Sequence, residues 1–247
     1  MKRMFFSNKN SCDANCSYCF AKWAQYNKCV SYDYNLISDD GLIIYPNCDG
    51  NIFDDNFQTI IESILKVKKK IVVSISTKHD IDDIKIDKLK SLNDYLKKNC
   101  LGFVKISISF SCISLISDIE KNTLLYHERI ALAEKISTSK LNYATILKPI
   151  LPFINFDEYK KIVDDTIQIS PYYMIDGLYV DEDTEFYNKY IKDKYPLCEK
   201  TIEWLQDRPL WKYIDSTDTK RLISDYIFEK NGVCFYSDLE LIKYLCK

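Results

Sequence analysis

The sequence predicts an α/β protein, a parallel sheet with covering helices, and three observations lead there. Short β-rich apolar runs recur along the chain, helix-sized stretches separate them, and two of the runs alternate small polar with aliphatic residues. The first strand, Met4–Phe6, passes into the polar stretch Ser7–Tyr18. The second is Leu42–Tyr45, followed by Phe57, Ile60, Ile61, Ile64 and Leu65 at the spacing of one helix face. Ile71–Thr77 and Phe103–Phe110 read as the third and fourth strands. Ile130, Leu132, Ala133 and Ile136 form a helix before the fifth strand, Tyr143–Leu147. Tyr159, Ile162 and Val163 form another before the sixth, Tyr173–Val180.

Two strands carry a polar face. Ser74, Ser76 and Lys78 alternate with Val73, Ile75 and Thr77, and Ser107, Ser109 and Ser111 alternate with Ile106, Ile108 and Phe110, so period two puts each set on one side. A parallel barrel filled by its own core would turn Val, Ile or Leu inward, whereas serines leave room for a bound molecule. The alternative is a polar face turned to solvent.

Composition bounds the function. With 247 residues, 47% hydrophobic and 28% charged, the chain can bury a full core, which excludes disorder and fibrous repeats. Lys+Arg of 34 against Asp+Glu of 36 leaves a formal charge of −2, so no global basic field recruits nucleic acid, and only a local basic groove would bind one. Met1–Phe6 runs straight into Ser7, Asn8, Lys9 and Asn10 without the pattern of a secretion signal, which places the protein in the cytoplasm. The most apolar long window, Leu101 to Glu120, contains Lys105 and five serines, a poor match to a membrane span.

Ten cysteines without a secretion signal point to metal binding, catalysis or burial rather than disulfides. Cys12, Cys16 and Cys19 form C-x3-C-x2-C in a loop-like stretch, and the thiolates of such a loop are soft ligands for an iron–sulfur cluster or zinc. A structural zinc site wants four closed ligands, and no second cysteine knuckle exists; His79 and His127 are the only histidines. A [4Fe–4S] cluster with one open iron fits better, with structural zinc as the alternative. The other cysteines, at 29, 48, 100, 112, 198, 234 and 246, are scattered; Cys29, Cys100 and Cys246 read as buried small hydrophobes. An auxiliary cluster of Cys198, Cys234 and Cys246 is disfavoured because no two are closely spaced.

The run Cys12-Asp-Ala-Asn-Cys16-Ser-Tyr18-Cys19 resembles the CxxxCx-aromatic-C signature of the radical S-adenosylmethionine (radical SAM) superfamily, with Tyr18 at the aromatic position. The resemblance implies a partial (β/α)6 TIM-like barrel with its active site at the strand C-terminal ends. It also implies a [4Fe–4S] cluster on Cys12, Cys16 and Cys19 and S-adenosyl-L-methionine on the open iron. Reductive cleavage to a 5′-deoxyadenosyl radical follows from this, with an electron donor such as flavodoxin or ferredoxin.

Later segments resemble spore photoproduct lyase and its relatives, in order and approximate spacing, from about Met1 to Val180. They are Tyr45-Pro-Asn-Cys48-Asp49-Gly50, Ile75-Ser76-Thr77-Lys78, Ile106-Ser107-Ile108-Ser109, Glu120-Lys-Asn-Thr123 with Arg129, and Lys148-Pro149-Ile150-Leu151-Pro152. By this resemblance Lys78 and Ser107, with Ser109 beside it, hold the methionine end of the cofactor. Glu120 and Arg129 pair with each other or position the cofactor, and Cys48 stands where that family carries a hydrogen-donating cysteine. Cys48-Asp49-Gly50-Asn51 departs from the usual GGE motif, leaving Asp49 as the nearest carboxylate for the cofactor's amino group. The bland readings are a structural ion pair for Glu120 and Arg129, a buried thiol for Cys48 and a turn for Asp49-Gly50.

From about Asp183 the strand alternation stops, and residues 183–247 read as a mainly helical C-terminal appendage on a barrel of residues 1–182. Trp204, Trp211, Leu222, Ile223, Tyr226 and Ile227 are its expected packing residues, and Asn231-Gly232 marks a turn before a final helix from about Ser237. The basic run Lys66 to Lys70 precedes the third strand, at the end opposite the expected site, and reads as a solvated turn. The substrate classes left open are a DNA lesion, a peptide, an RNA base and a small molecule.

Overall fold

A computed structural model of the protein describes residues 2–7, 12–22, 41–46, 48–202 and 210–247. Six strands follow one another across the main sheet: β1 (Lys2–Phe5), β2 (Leu42–Tyr45), β3 (Ile71–Thr77), β4 (Gly102–Ser109), β5 (Asn142–Leu147) and β6 (Tyr172–Ile175). Each pairs in parallel with the next. Parallel strands in sequential order, joined by right-handed crossovers, keep their helices on one face and curve the sheet, as a partial barrel requires. That outer face carries α1 (Phe57–Leu65), α2 (Asp83–Lys98), α4 (Tyr126–Thr138) and α5 (Phe156–Thr166). A short helix, α3 (Ile116–Ile119), precedes α4.

The helices form where apolar spacing and caps coincide. α2 buries Ile86, Leu89, Leu92 and Leu96 on one stripe; Asp82 caps it by accepting from the Lys85 N–H, and Lys97 and Lys98 complement the dipole of its last turn. Asn93 is buried on the same stripe, where it accepts from the Val104 N–H at 3.1 Å and ties the helix to β4. At the start of β4, Gly102 has φ +138°, and an added Cβ would stand 1.7 Å from the Ile71 carbonyl oxygen, so only glycine fits between β3 and β4 there.

Three sequence expectations need correction. The run Tyr173–Val180 is not one strand: it breaks at Asp176-Gly177 into β6 and β7 (Leu178–Tyr179). The Asp176 carboxylate accepts from the Gly177 N–H and from the Tyr213 hydroxyl, and at Gly177 a Cβ would meet Ile214 O at 2.2 Å, so the chain turns out of the parallel sheet. The strand alternation also continues past Asp183, because β7 joins β9 (Leu210–Ile214) and β8 (Cys198–Thr201) in a three-stranded antiparallel sheet. After α6 (Thr217–Glu229), β10 (Val233–Phe235) enters the main sheet beside β6 as its seventh parallel strand. Finally, Cys100 and Cys246 are exposed rather than buried, Cys100 in the turn after α2 and Cys246 at the end of the last helix. Cys29 and Trp204 lie outside the described residues.

The final helix, α7 (Asp238–Leu245), begins after Ser237 and occupies the inner face. Its Ile242 and Leu239 pack on Ile43, Val72 and Phe103, and its Leu241 packs with Ala144 and Phe235, all opposite the helix-covered side by strand alternation. Within the described residues, no helix is long and apolar enough to cross a membrane.

Candidate functional site

The strand C-terminal ends gather most of the residues singled out by the sequence. Beyond β1, Phe6 continues the pairing by donating to Tyr45 O, and the Cys48 N–H returns to Phe6 O at 2.9 Å. Ser7 donates to Asp49 at 3.0 Å, so Cys48 and Asp49 stand at the root of the cysteine loop. The loop is then pinned to the segment between α3 and α4. Ser17 N–H donates to Ile119 O (2.8 Å), Asn122 bonds the carbonyls of Ala14 and Asp13, and Cys16 bridges Glu120.

Cys16 is buried, and Cys12 and Cys19 are half-buried. Burial pushes the Cys12 and Cys16 thiols up; at Cys16 the Lys78 ammonium pulls the other way, while Glu120 and Cys19 add to the rise. Three soft donors on one loop suit a metal centre with a position left over, and a metal is what would remove their protons. Among the described residues, the ligand atoms that lie within 4.8 Å of one another are those of Cys12, Asp13 and His79.

Beside the loop lies a buried charge cage. Glu120, 1% exposed, accepts from Lys78 Nζ (2.8 Å), from Arg129 Nη2 (2.5 Å) and from the hydroxyls of Tyr18 and Ser111. Burial alone would raise the Glu120 pKa, but Lys78 and Arg129 outweigh it and hold the carboxyl down at about 2. Lys78 is held charged in the same way: burial disfavours its ammonium, and Glu120 and the Cys16 sulfur more than compensate. Lys78 directs its three hydrogens to Glu120, the Tyr18 oxygen and Cys16 Sγ, the last at 3.7 Å. Arg129 also donates to Ser109 O, Leu124 O and Thr123 Oγ1. One carboxylate against two cations leaves the cage with one positive charge, next to Cys16.

The serine face proves divided by height. Strand register sets Tyr45, Ser74, Lys105 and Asn142 in one inward layer and Ser76, Ser107 and Ala144 in the layer above. The lower layer is not free for a ligand, because Asp238 of α7 accepts from Tyr45 (2.7 Å), from Ser74 (2.9 Å) and from the fully buried Lys105. In the upper layer Ser76 is exposed, while Ser107 is buried and its hydroxyl lacks a partner among the described residues. Above it, Ser109 donates to Lys148 O.

At the far rim, past β5 and β6, Asp176 joins Lys148 (3.1 Å), Lys200 (3.0 Å) and the Tyr213 hydroxyl. Burial would raise Asp176, yet Lys148, Tyr213 and Lys200 hold it at about 2. Phe20, just after Cys19, packs edge-on against Trp211 and tilted on Tyr179, so the small antiparallel sheet walls the cysteine loop on this side.

Sequence reasoning missed Ser111, Asp176, Asp238 and His79 as partners of these groups. Ser111 was legible as the next term of the serine alternation beyond the end of β4. His79 follows Lys78 directly, and its Nε2 lies 3.9 Å from Cys12 Sγ and 3.3 Å from Asp13 Oδ1.

No family model and no curated sequence matches the chain. Among solved structures it is similar to a double mutant of spore photoproduct lyase with bound AdoMet and dinucleoside spore photoproduct, at TM-score 0.63 and 13% identity over 92% of this chain and 75% of that one. It is also similar to Streptococcus suis SuiB bound to S-adenosylmethionine, at TM-score 0.61 and 13% identity over 95% of this chain and 49% of SuiB. At such identity the likeness establishes a shared fold.

Proposed function

We propose that the protein is a radical SAM enzyme of the spore photoproduct lyase type, with Cys12, Cys16 and Cys19 as ligands of a [4Fe–4S] cluster and S-adenosylmethionine on the open iron. The observation that carries this reading is the pinned cysteine loop at the strand C-terminal ends beside a buried cage of net positive charge. The fold shared with two S-adenosylmethionine-bound proteins supports it. When bound and reduced by one electron, as from flavodoxin or ferredoxin, this pair supplies a 5′-deoxyadenosyl radical that takes hydrogen from a substrate.

The chain's own part is to hold and orient. Glu120 locks Tyr18 under the loop and keeps Lys78 charged at 3.7 Å from Cys16, against the opposing charge of Arg129. Lys78 offers the cofactor carboxylate its charge, since each of its hydrogens already has a partner; Ser107, buried and unpartnered among the described residues, offers a hydroxyl, and Ser109 beside it would have to release its hydrogen from Lys148 O to do the same. Asp49, at the root of the loop, is the carboxylate for the amino end. Cys48 beside it is the candidate donor that returns a hydrogen atom to the substrate radical.

The substrate reading that follows the lyase is a nucleic-acid lesion, with a peptide, an RNA base or a small molecule as the other classes. A second reading, structural zinc, has one observation in its favour: His79 stands near enough to Cys12 to complete a fourth ligand.

The test is anaerobic reconstitution with iron and sulfide, then dithionite and S-adenosylmethionine, with 5′-deoxyadenosine read by mass spectrometry. The enzyme reading expects about four irons per chain and product that Cys16→Ala abolishes. A colourless protein with stoichiometric zinc overturns it. Cys48→Ala is expected to leave cofactor cleavage intact and change the product distribution; unchanged products remove its donor role.

A further inference from the structure

Two consecutive residues at the end of β3 bracket the cysteine loop. Lys78 and His79 follow the last residue of β3, and their side chains reach different cysteines of the loop. Lys78 Nζ stands 3.7 Å from Cys16 Sγ, and His79 Nε2 stands 3.9 Å from Cys12 Sγ. The His79 backbone is fixed by its N–H donating to Thr77 Oγ1 at 2.9 Å, and its ring is 15% exposed. The same Nε2 lies 3.3 Å from a carboxylate oxygen of Asp13, the residue next to Cys12, whose side chain is 71% exposed. One ring nitrogen thus faces both a cluster ligand and a competing acceptor.

Resting on the enzyme reading above, we propose that His79 is a positioning residue for the cluster: its Nε2–H donates to the Cys12 sulfur and raises the cluster's reduction potential, while Asp13 draws on the same hydrogen and lowers it. Reduction adds negative charge that the ligand sulfurs share, so a donor aimed at one of them stabilises the reduced form more than the oxidised form. Asp13 acts in the opposite sense twice, by competing for the hydrogen and by placing a negative charge one residue from the ligand, although solvent screens the second effect. Lys78 and the Glu120–Arg129 pair face the cluster from the Cys16 side, and the variants below leave them in place.

The experiment is an anaerobic redox titration, followed by electron paramagnetic resonance, of the full-length reconstituted protein and three variants without S-adenosylmethionine. His79→Phe, which keeps a ring and removes the donor, is expected to titrate below wild type. His79→Gln, which keeps an N–H, is expected to recover most of the difference. Asp13→Asn is expected to titrate above wild type. A His79→Phe protein with wild-type iron content and wild-type potential overturns the proposal, as do equal shifts in the Phe and Gln variants. Should His79→Phe fail to hold iron, Asp13→Asn decides, and a potential at or below wild type overturns it. A wild-type protein that takes up zinc and no iron overturns the enzyme reading itself, before any variant is compared.

Discussion

Two carboxylates, Glu120 fully buried and Asp238 largely so, organise different heights of the same sheet, and they are balanced differently. Asp238 meets one cation, Lys105, with the hydroxyls of Ser74 and Tyr45 completing its shell, so the lower group sums to zero charge. Glu120 meets two, Lys78 and Arg129, with the hydroxyls of Tyr18 and Ser111. A neutral buried group is self-sufficient, and it fastens α7 into the barrel. A buried surplus of one cation is costly unless an anion comes beside it. The candidate is the sulfur of Cys16, 3.7 Å from Lys78 Nζ, with Cys12 and Cys19 on the same loop; on the proposed metal these sulfurs would be anionic. The lower carboxylate therefore reads as a staple for the fold, and the upper one as half of an electrostatic match whose other half is the cysteine loop.

The largest effect expected is at Glu120. Glu120→Ala leaves Lys78 and Arg129 facing each other without their carboxylate, and it should cost at least about 3–5 kcal/mol in urea denaturation and abolish iron loading. A loss below about 1 kcal/mol, within the range of surface ion pairs, would break the comparison. Next comes the lower group. Lys105→Met strands a buried carboxylate and should cost about 3 kcal/mol, whereas Lys105→Met with Asp238→Asn should recover part of that loss, since the amide still accepts from Ser74 and Tyr45. Both proteins should load iron as wild type does. Loss of iron from the double variant would mean that the two heights are not independent.

Acid should separate them from ordinary surface groups. Glu120 titrates at about 2 when folded against 4.5 for a free glutamate, a depressed value, so its stabilisation is present above about 4.5 and disappears as pH falls toward 2. Asp238 is also lowered, burial notwithstanding, by Lys105 and the two hydroxyls, and it contributes in the same sense. Wild type should therefore lose stability steeply through that window, and Glu120→Gln should show a shallower slope in the same titration. Superimposable pH profiles would mean that the cage contributes no pH-dependent stability. The smallest expected effect is a control on neither group: Asp82→Ala removes the cap of α2 and should cost about 1 kcal/mol, with no change in iron content.

Much of this was legible in the chain. The limits of β2 and β3 coincide with the runs 42–45 and 71–77: β2 is the continuous apolar stretch of a buried parallel strand, and β3 is an aliphatic run whose second half alternates with small polar residues. β10 was not legible: Val233–Phe235 is three residues long, too short for period two to register, and it becomes a strand because β6 offers an unpaired edge. The cysteine triad was readable because its members sit within one loop. Glu120 and Arg129 were readable as a pair nine positions apart, but Lys78 as their third member was not, since 42 residues separate it from Glu120.

Local information accordingly determined the strand and helix succession, the cysteine loop and the serine face, each of which depends on residues within a turn or two of one another. The tertiary structure alone decided what those features meet. It filled the lower half of the serine face with α7, turned the chain at Asp176-Gly177 into a second sheet, and set Lys78 and His79 on either side of the cysteine loop. Burial and long-range ion pairs arise only when distant segments close on one another, and sequence spacing carries no record of that closure.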